Sequence, residues 1–392
     1  MNTVNLSQDQ AKVLNNLVDW HKTEAKNPFI TLGGYAGTGK TTLISYLRKL
    51  LHKENEKLKV AFCSYTGKAT RVLQNKLVAN QALYKGDTVG TIHSLIYSPL
   101  VDDSENIVGW DKKDEIDADL IIVDEASMVD QFIWNDLLQY GLPIIAVGDH
   151  GQLPPINGSF NLMENPILLL DKIHRQSLEN PIIKVSIYAR EYGKIPEGIF
   201  GDNVIKIKKT SDQVGQFMED AATKFDAETL ILCGYNNTRV KLNKFVRSTL
   251  GFEGEDPQAN DRVICLRNNH QERIFNGMLG YLKSIDYETA PDWHFAQIKM
   301  DDELFEYKGM IYAPQFNNPK SLNFSEARQE TMAGDLFDFG YAITVHKAQG
   351  SEASKVILFE EKFSSMDDAM WARWLYTAVT RAKESLYIIG AN

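Results

Sequence analysis

Cysteine is scarce in this chain. Cys63, Cys233 and Cys265 are widely spaced and odd in number, which argues against a disulfide framework or a cysteine metal site and points to small buried hydrophobes in a reducing compartment. No apolar run reaches the about 18 residues that a membrane-spanning helix requires. The opening MNTVNLSQDQ has neither a basic region nor an apolar signal core, so the expectation is a cytoplasmic chain with no membrane partner. Basic residues are outnumbered, with 42 Lys and Arg against 52 Asp and Glu and a formal charge of −10. That removes bulk positive charge as an argument for nucleic-acid binding, although a local groove can be positive on an acidic body. Internal repeats and low-complexity tracts are also lacking.

What is present is a phosphate-binding signature. Gly34-Tyr35-Ala36-Gly37-Thr38-Gly39-Lys40-Thr41 satisfies G-x-x-x-x-G-K-[ST] directly after the apolar run Phe29-Ile30-Thr31-Leu32. A backbone that wraps a polyphosphate needs dihedrals that side chains block, and it must aim its N–H groups at the charge. Lys40 is expected to neutralise the β- and γ-phosphates and Thr41 to offer a hydroxyl to Mg²⁺. Thr42 follows on the helix that starts near Gly39, whose dipole favours the anion. A bare connecting turn would not require Lys and Thr after the last glycine.

The complementary signal is Leu120-Ile121-Ile122-Val123-Asp124-Glu125. An uninterrupted β-branched run suits a strand buried on both faces of a parallel sheet, so the acids emerge at its carboxyl end, where open α/β sheets place their sites. Asp124 is expected to hold Mg²⁺ and Glu125 to orient and deprotonate water. A guanine reader is missing, because Asn75-Lys76-Leu77-Val78 and Asn243-Lys244-Phe245-Val246 both lack its acid. A small-molecule kinase would leave a second sheet domain unexplained, and a non-catalytic clamp would not need Glu125.

At 392 residues, 43% hydrophobic and 24% charged, the chain can form two to three cores. Alternating strand and helix patterns run from a helix beginning at Ser7, through strands at 29–33, 59–63, 119–123 and 143–147, and resume after residue 170 with strands at 229–233, 340–345, 355–359 and 385–389. This predicts an α/β fold with two doubly wound parallel sheets. Between Asp261 and about Tyr312 the texture becomes short and β-rich, which predicts a small β-barrel-like insertion.

The motif order then resembles the superfamily-1 helicases, in the subclass of the bacterial RecD enzymes and the phage Dda helicase, over nearly the whole length. The resemblance rests on Leu6-Ser7-Gln8-Asp9-Gln10, the phosphate loop, Ser64-Tyr65-Thr66-Gly67-Lys68-Ala69, Thr91-Ile92-His93-Ser94, Val123 to Met128, and Gly148-Asp149-His150-Gly151-Gln152-Leu153-Pro154-Pro155. It continues with His174-Arg175, Tyr341 to Glu352 and Leu375 to Ala382. Asn276-Gly277 followed by Leu279-Gly280 also looks like this subclass. The resemblance implies two RecA-like domains, one at 1–97 and 117–170 and the other at 171–260 and 335–392. It implies a hairpin at 98–116 in the first and an SH3-like insertion at 261–334 in the second. Implied too are ATP and Mg²⁺ as cofactors, single-stranded DNA and single-strand/duplex junctions as partners, 5′ to 3′ movement, replication or recombination proteins as associates, and a bacterial or phage-infected host cytosol. A translocase, remodeller or motor subunit of an exonuclease complex would use the same residues.

The resemblance also implies residue roles. Gln10 would read the adenine edge, yet Ser7-x-x-Gln10 is equally a capping box. Gln152 would sense the γ-phosphate, and Arg175 and Arg381 would serve as arginine fingers. Gly350 and Glu352 would lie at the nucleotide, with Glu352 on the ribose or else a helix-cap acid. Tyr65, Thr66, Thr91 and His93 on the first domain, and Thr344, His346 and Lys347 on the second, would track the strand by backbone contacts. Relatives usually carry proline where this chain has Tyr65, which stacks on a base or turns into the core. The segment from Ser98 to Ile116 is acidic, with Ile107, Val108 and Trp110 near its middle, and reads as a strand-separating pin or a solvated loop.

Overall fold

Strand Leu120–Asp124 shows why the first sheet forms where it does. Residues Leu120 to Val123 are all fully buried, and successive side chains enter different cores. Leu120 and Ile122 join Val60, Phe62, Ile145 and Val147 under the helices Gln8–Lys22, Lys40–Glu54 and Gly67–Ala79. Ile121 and Val123 join Ala61, Cys63, Ile144 and Ala146 on the opposite face, against Ile92, Ile96, Ile133, Trp134 and Leu137. Helices therefore cover both faces, as a parallel sheet requires.

The computed structural model describes residues 6–23, 27–101, 107–155, 160–172, 179–269, 271–290, 292–301, 303, 305–320, 322 and 333–390. It divides into two compact units, Met1–Glu179 and Asn180–Asn392. In the first, six strands lie in the order Thr88–Thr91, Val60–Ser64, Leu120–Asp124, Ile144–Gly148, Phe29–Gly34, Leu168–Leu170, and every pairing is parallel. Between the helix Ile92–Ile96 and this sheet's acidic strand, Tyr97–Val101 and Ile107–Lys112 pair as an antiparallel two-stranded ribbon. Residues 102–106 and the side chains of Ile107, Val108 and Trp110 lie outside the described residues.

The second unit has a six-stranded sheet ordered Ala342–Thr344, Thr229–Cys233, Ala353–Phe359, Ala382–Gly390, Val204–Lys208, Gly198–Gly201. Four pairings are parallel. The last is an antiparallel hairpin, a departure from the uniformly parallel sheet that the sequence predicts. The alternation of Val204–Lys208 is disguised because Lys206 sits at a core position. Its Nζ donates to both carboxylate oxygens of Glu360, at 2.8 and 2.6 Å, and to the Ile195 carbonyl at 2.8 Å.

A five-stranded antiparallel sheet follows in space, ordered Glu306–Tyr312, Trp293–Met300, Leu279–Ala290, Arg262–Cys265, Phe337–Phe339. Its two ends meet, because Tyr312 N donates to the Asp335 carbonyl (3.1 Å) and Asp335 N to the Met310 carbonyl (2.7 Å). This sheet and the parallel one share one core, with Ile231 and Cys233 beside Val263, Cys265, Phe337 and Phe339. Buried arginines from the helix Asn236–Thr249 fasten them together. Arg247 donates to both oxygens of Asp261 (2.8 and 3.0 Å), which also accepts from the Tyr341 hydroxyl (2.8 Å), and Arg239 donates to Asp338 (2.6 Å). Among the described residues, no helix is long and apolar enough to cross a membrane.

Candidate nucleotide and nucleic-acid sites

The phosphate loop is built by its glycines. Gly37 and Gly39 have φ of +80° and +82°, the left-handed region that a Cβ disfavours. A Cβ on Gly34 would come within 2.7 Å of Thr38 Oγ1. Thr38 is fully buried and donates its hydroxyl to the Tyr35 carbonyl at 2.8 Å, closing the turn. Lys40 begins the helix, and its Nζ reaches back to the carbonyls of Gly34 (2.6 Å) and Tyr35 (3.1 Å). The first helical hydrogen bond runs from Leu43 N to the Gly39 carbonyl at 2.9 Å, so the amides of Lys40, Thr41 and Thr42 face outward at the positive end of the helix dipole. Ala36 belongs to the same turn. The cradle fits a polyphosphate in backbone shape, donor set and charge.

Gln10 forms the capping box: Gln10 N donates to Ser7 Oγ (3.2 Å) and Ser7 N to Gln10 Oε1 (3.1 Å). Its Nε2 also donates to the Thr38 carbonyl at 3.0 Å, tying the first helix to the loop.

Asp124 lies at the end of its strand, in register with Ser64. Its Oδ1 accepts the Glu125 N–H at 3.0 Å. Burial lifts the Asp124 carboxyl above its ordinary range, while that N–H and the charges of Lys40 and Lys76 pull it down. Glu125 has φ of +53°, a conformation sparsely populated by side chains other than glycine, asparagine or aspartate. Such backbones recur where a site fixes a side chain. Two buried hydroxyls, Ser64 Oγ and Ser127 Oγ, have no hydrogen-bond partner among the described residues. With Thr41 and Asp124 as oxygen donors, this end of the sheet has the hard-ligand chemistry that suits Mg²⁺.

The strand Ile144–Gly148 delivers a second loop beside the first. Asp149 is buried and accepts from Gly151 N (2.9 Å) and from Gln152 Nε2 (3.4 Å). His150 lies against Tyr35 of the phosphate loop, with ring centroids 4.1 Å apart. Sequence patterns give no hint of that ring contact, because it joins residues far apart in the chain.

Thr66 and Thr91 cap the helices Gly67–Ala79 and Ile92–Ile96, accepting from Ala69 N (3.2 Å) and Ser94 N (3.1 Å). Tyr65 and His93 meet edge to face at 5.9 Å, and His93 and Tyr97 lie at 6.0 Å. Tyr65 is half-buried against the core, and burial, aided by Asp130, pushes its hydroxyl pKa up.

In the second unit, Thr344 ends its strand, and a turn continues through Gly350, with φ of +73°. His346 stacks on Phe363 at 6.4 Å, and burial lowers its pKa. Lys347 donates to Asn276 Oδ1 at 2.6 Å. Glu352 is exposed and lies 3.7 Å from Lys383 Nζ. Arg381 is only 4% exposed. It donates to the carbonyls of Thr377 (2.9 Å) and Ser351 (3.2 Å) and to Thr380 Oγ1 (3.1 Å). Arg175 lies outside the described residues.

The description "AAA domain" matches residues 19–158, and "UvrD-like helicase C-terminal domain" matches residues 339–389. The ATP-dependent RecD2 DNA helicase of Deinococcus radiodurans is 28% identical over 98% of this chain, which spans about half (49%) of that relative's length. The RecBCD enzyme subunit RecD of Buchnera aphidicola is 23% identical over 98% of this chain and 76% of its own. In fold, the chain is similar to the Pif1 helicase of Bacteroides in complex with ADP-AlF3 and single-stranded DNA, with a TM-score of 0.55, 17% identity, and 98% and 92% of the two chains covered. It is also similar to the Pif1 helicase of Candida albicans, with a TM-score of 0.53, 16% identity, and 100% and 95% covered. Motif order, the two matched domain descriptions and the RecD relatives together support a superfamily-1 helicase similar to the RecD enzymes, and the α/β fold is similar to that of the Pif1 helicases.

Proposed function

We propose that this chain is an ATP- and Mg²⁺-dependent DNA helicase that moves 5′ to 3′ on single-stranded DNA and separates strands at single-strand/duplex junctions. The observation that carries the reading is the phosphate loop and the Asp124-Glu125 strand end on one sheet, flanking the strand Ile144–Gly148, whose following loop carries Gln152 and touches the phosphate loop through the Tyr35–His150 contact. Lys40 neutralises the phosphate tail. Glu125 orients the attacking water and accepts its proton, and Gln152 reports the γ-phosphate. Mg²⁺, held by Thr41 and Asp124, would supply charge neutralisation between the terminal phosphates. Arg381 and Arg175 act as arginine fingers, Gln10 meets the adenine, and Gly350 and Glu352 meet the sugar side of the nucleotide.

Tyr65, Thr66, Thr91 and His93 hold the strand on one unit and Thr344, His346 and Lys347 on the other, so that alternating grip converts hydrolysis into movement. Each base-pair step separated costs about 1.4 kcal/mol on average.

The test is ATP turnover with and without single-stranded DNA, followed by unwinding of duplexes that carry either a 5′ or a 3′ tail. Strong stimulation and unwinding of the 5′-tailed substrate are expected. Unwinding of the 3′-tailed duplex alone refutes the polarity, and strand-stimulated turnover without unwinding reduces the activity to translocation.

A further inference from the structure

Lys347 is a cation with a neutral partner. Its Nζ donates to Asn276 Oδ1 at 2.6 Å, and no ion pair to it is formed among the described residues. The charged groups facing it, Arg239 and Asp338, are already bound to each other at 2.6 Å. An ammonium has three N–H donors and no acceptor, so the Asn276 amide must present oxygen to it. Two of the three donors remain for an incoming group. Burial lowers the Lys347 pKa, as expected for a charge held partly out of water without a counter-ion.

The amide is itself fixed by a tight turn of the β-rich insertion. Asn276 N donates to Asn268 Oδ1 (2.8 Å), Gly277 N to the Cys265 carbonyl (2.9 Å), and Asn269 and Ile274 exchange backbone hydrogen bonds of 2.8 and 3.0 Å. Gly277 has φ of +92°, and a Cβ there would face the Lys347 carbonyl at 4.0 Å. A left-handed residue thus places the amide beside the lysine.

The geometry points to Asn276 as a positioning residue that aims the Lys347 ammonium at a backbone phosphate of single-stranded DNA, making the insertion part of the nucleic-acid grip. This rests on the function proposed above. A neutral amide suits the task better than a carboxylate, because it holds the ammonium without cancelling its charge.

The test is the salt dependence of binding to a fluorescent oligothymidylate, read by anisotropy. A single phosphate contact contributes about 0.7 to the slope of log affinity against log salt for single strands. Asn276→Ala and Lys347→Ala should each reduce the slope by about that amount, and the double variant should lose no more than either alone. Asn276→Asp keeps an acceptor for Lys347 but pairs its charge. It should show the same slope loss with an unchanged melting temperature, and it serves as the readout if Asn276→Ala unfolds. A slope unchanged in both Asn276 variants, or losses that add in the double variant, overturns the assignment alone. An unmodified chain without measurable affinity for the oligonucleotide overturns the proposed function and this assignment with it.

Discussion

Tyr35 and His150 pack with ring centroids 4.1 Å apart and planes tilted by 44°, joining the loops that follow two adjacent parallel strands, Phe29–Gly34 and Ile144–Gly148. The contact puts the segment that carries Asp149 and Gln152 directly on the phosphate-binding turn. Movement of either loop is thereby felt by the other.

Tyr35→Ala and His150→Ala should each lower kcat/KM for ATP. Aromatic pairs are worth about 0.5–1.5 kcal/mol beyond their buried area, or roughly 2- to 13-fold in rate. Steady-state turnover of both single variants and the double variant should show a coupling of that size. Strictly additive losses would mean that the rings act separately.

Lys40→Ala should abolish ATP turnover while leaving binding to single-stranded DNA measurable, because its ammonium faces the loop carbonyls of Gly34 and Tyr35 and takes no part in the core. Circular dichroism and oligonucleotide anisotropy check the fold and the binding. Turnover that survives near the unmodified level would remove Lys40 from the chemistry.

For Arg381, a finger role predicts a fall in kcat of about 10³ or more. The same guanidinium satisfies the carbonyls of Thr377 and Ser351, so stability should fall as well. Arg381→Lys keeps a charge but cannot reproduce the planar fork. Turnover per folded molecule, compared with the melting temperature of the same sample, separates the two effects. A stability loss with intact turnover would make the arginine structural.

The His346 imidazole should be neutral at pH 7 and titrate below its ordinary value of 6.5, since burial disfavours its charged form. Its folded pKa is depressed. Its contribution to stability is therefore complete above pH 6.5 and lost as pH falls through the folded value. Proton NMR of the ring, assigned with His346→Gln, reads the midpoint directly. A midpoint at or above 6.5 would contradict the burial argument.

Asp261→Ala should be among the most damaging single changes. The carboxylate is fully buried and accepts from Arg247 and Tyr341. Removing one partner of a buried pair costs about 3–5 kcal/mol, because the remaining charge is stranded. Urea unfolding measures it, and a change under 1 kcal/mol, on the order of a surface pair, would show that Arg247 finds another acceptor.

Much of this architecture is written locally in the chain. Glycines at 34, 37 and 39 declare the phosphate turn, and the run from Leu120 to Asp124 declares a strand buried on both sides. Both signals arise from near neighbours. Short edge strands escape such reading: Thr88–Thr91 and Leu168–Leu170 have three or four residues and little or no alternation, and their extension is imposed by pairing with Val60–Ser64 and Phe29–Gly34. Lys206 hides its strand because its burial depends on Glu360, far along the chain. The same holds for the site. The ordered motifs mark Lys40, Asp124 and Gln152, but neither the Tyr35–His150 ring contact nor the hold of Asn276 on Lys347 has a short-range signature.

The arginine anchors from the helix Asn236–Thr249 have a mechanical corollary. With Arg239 and Arg247 clamped onto Asp338 and Asp261, the antiparallel sheet cannot swivel on its parallel neighbour without stranding charge in the core. Any rotation of that neighbour is passed undiminished to the rim turns, and the arc each turn sweeps grows with its distance from the pivot. The insertion is thereby pinned to the parallel sheet of its own unit, and loosening either clamp should slacken that attachment before it disturbs the strands.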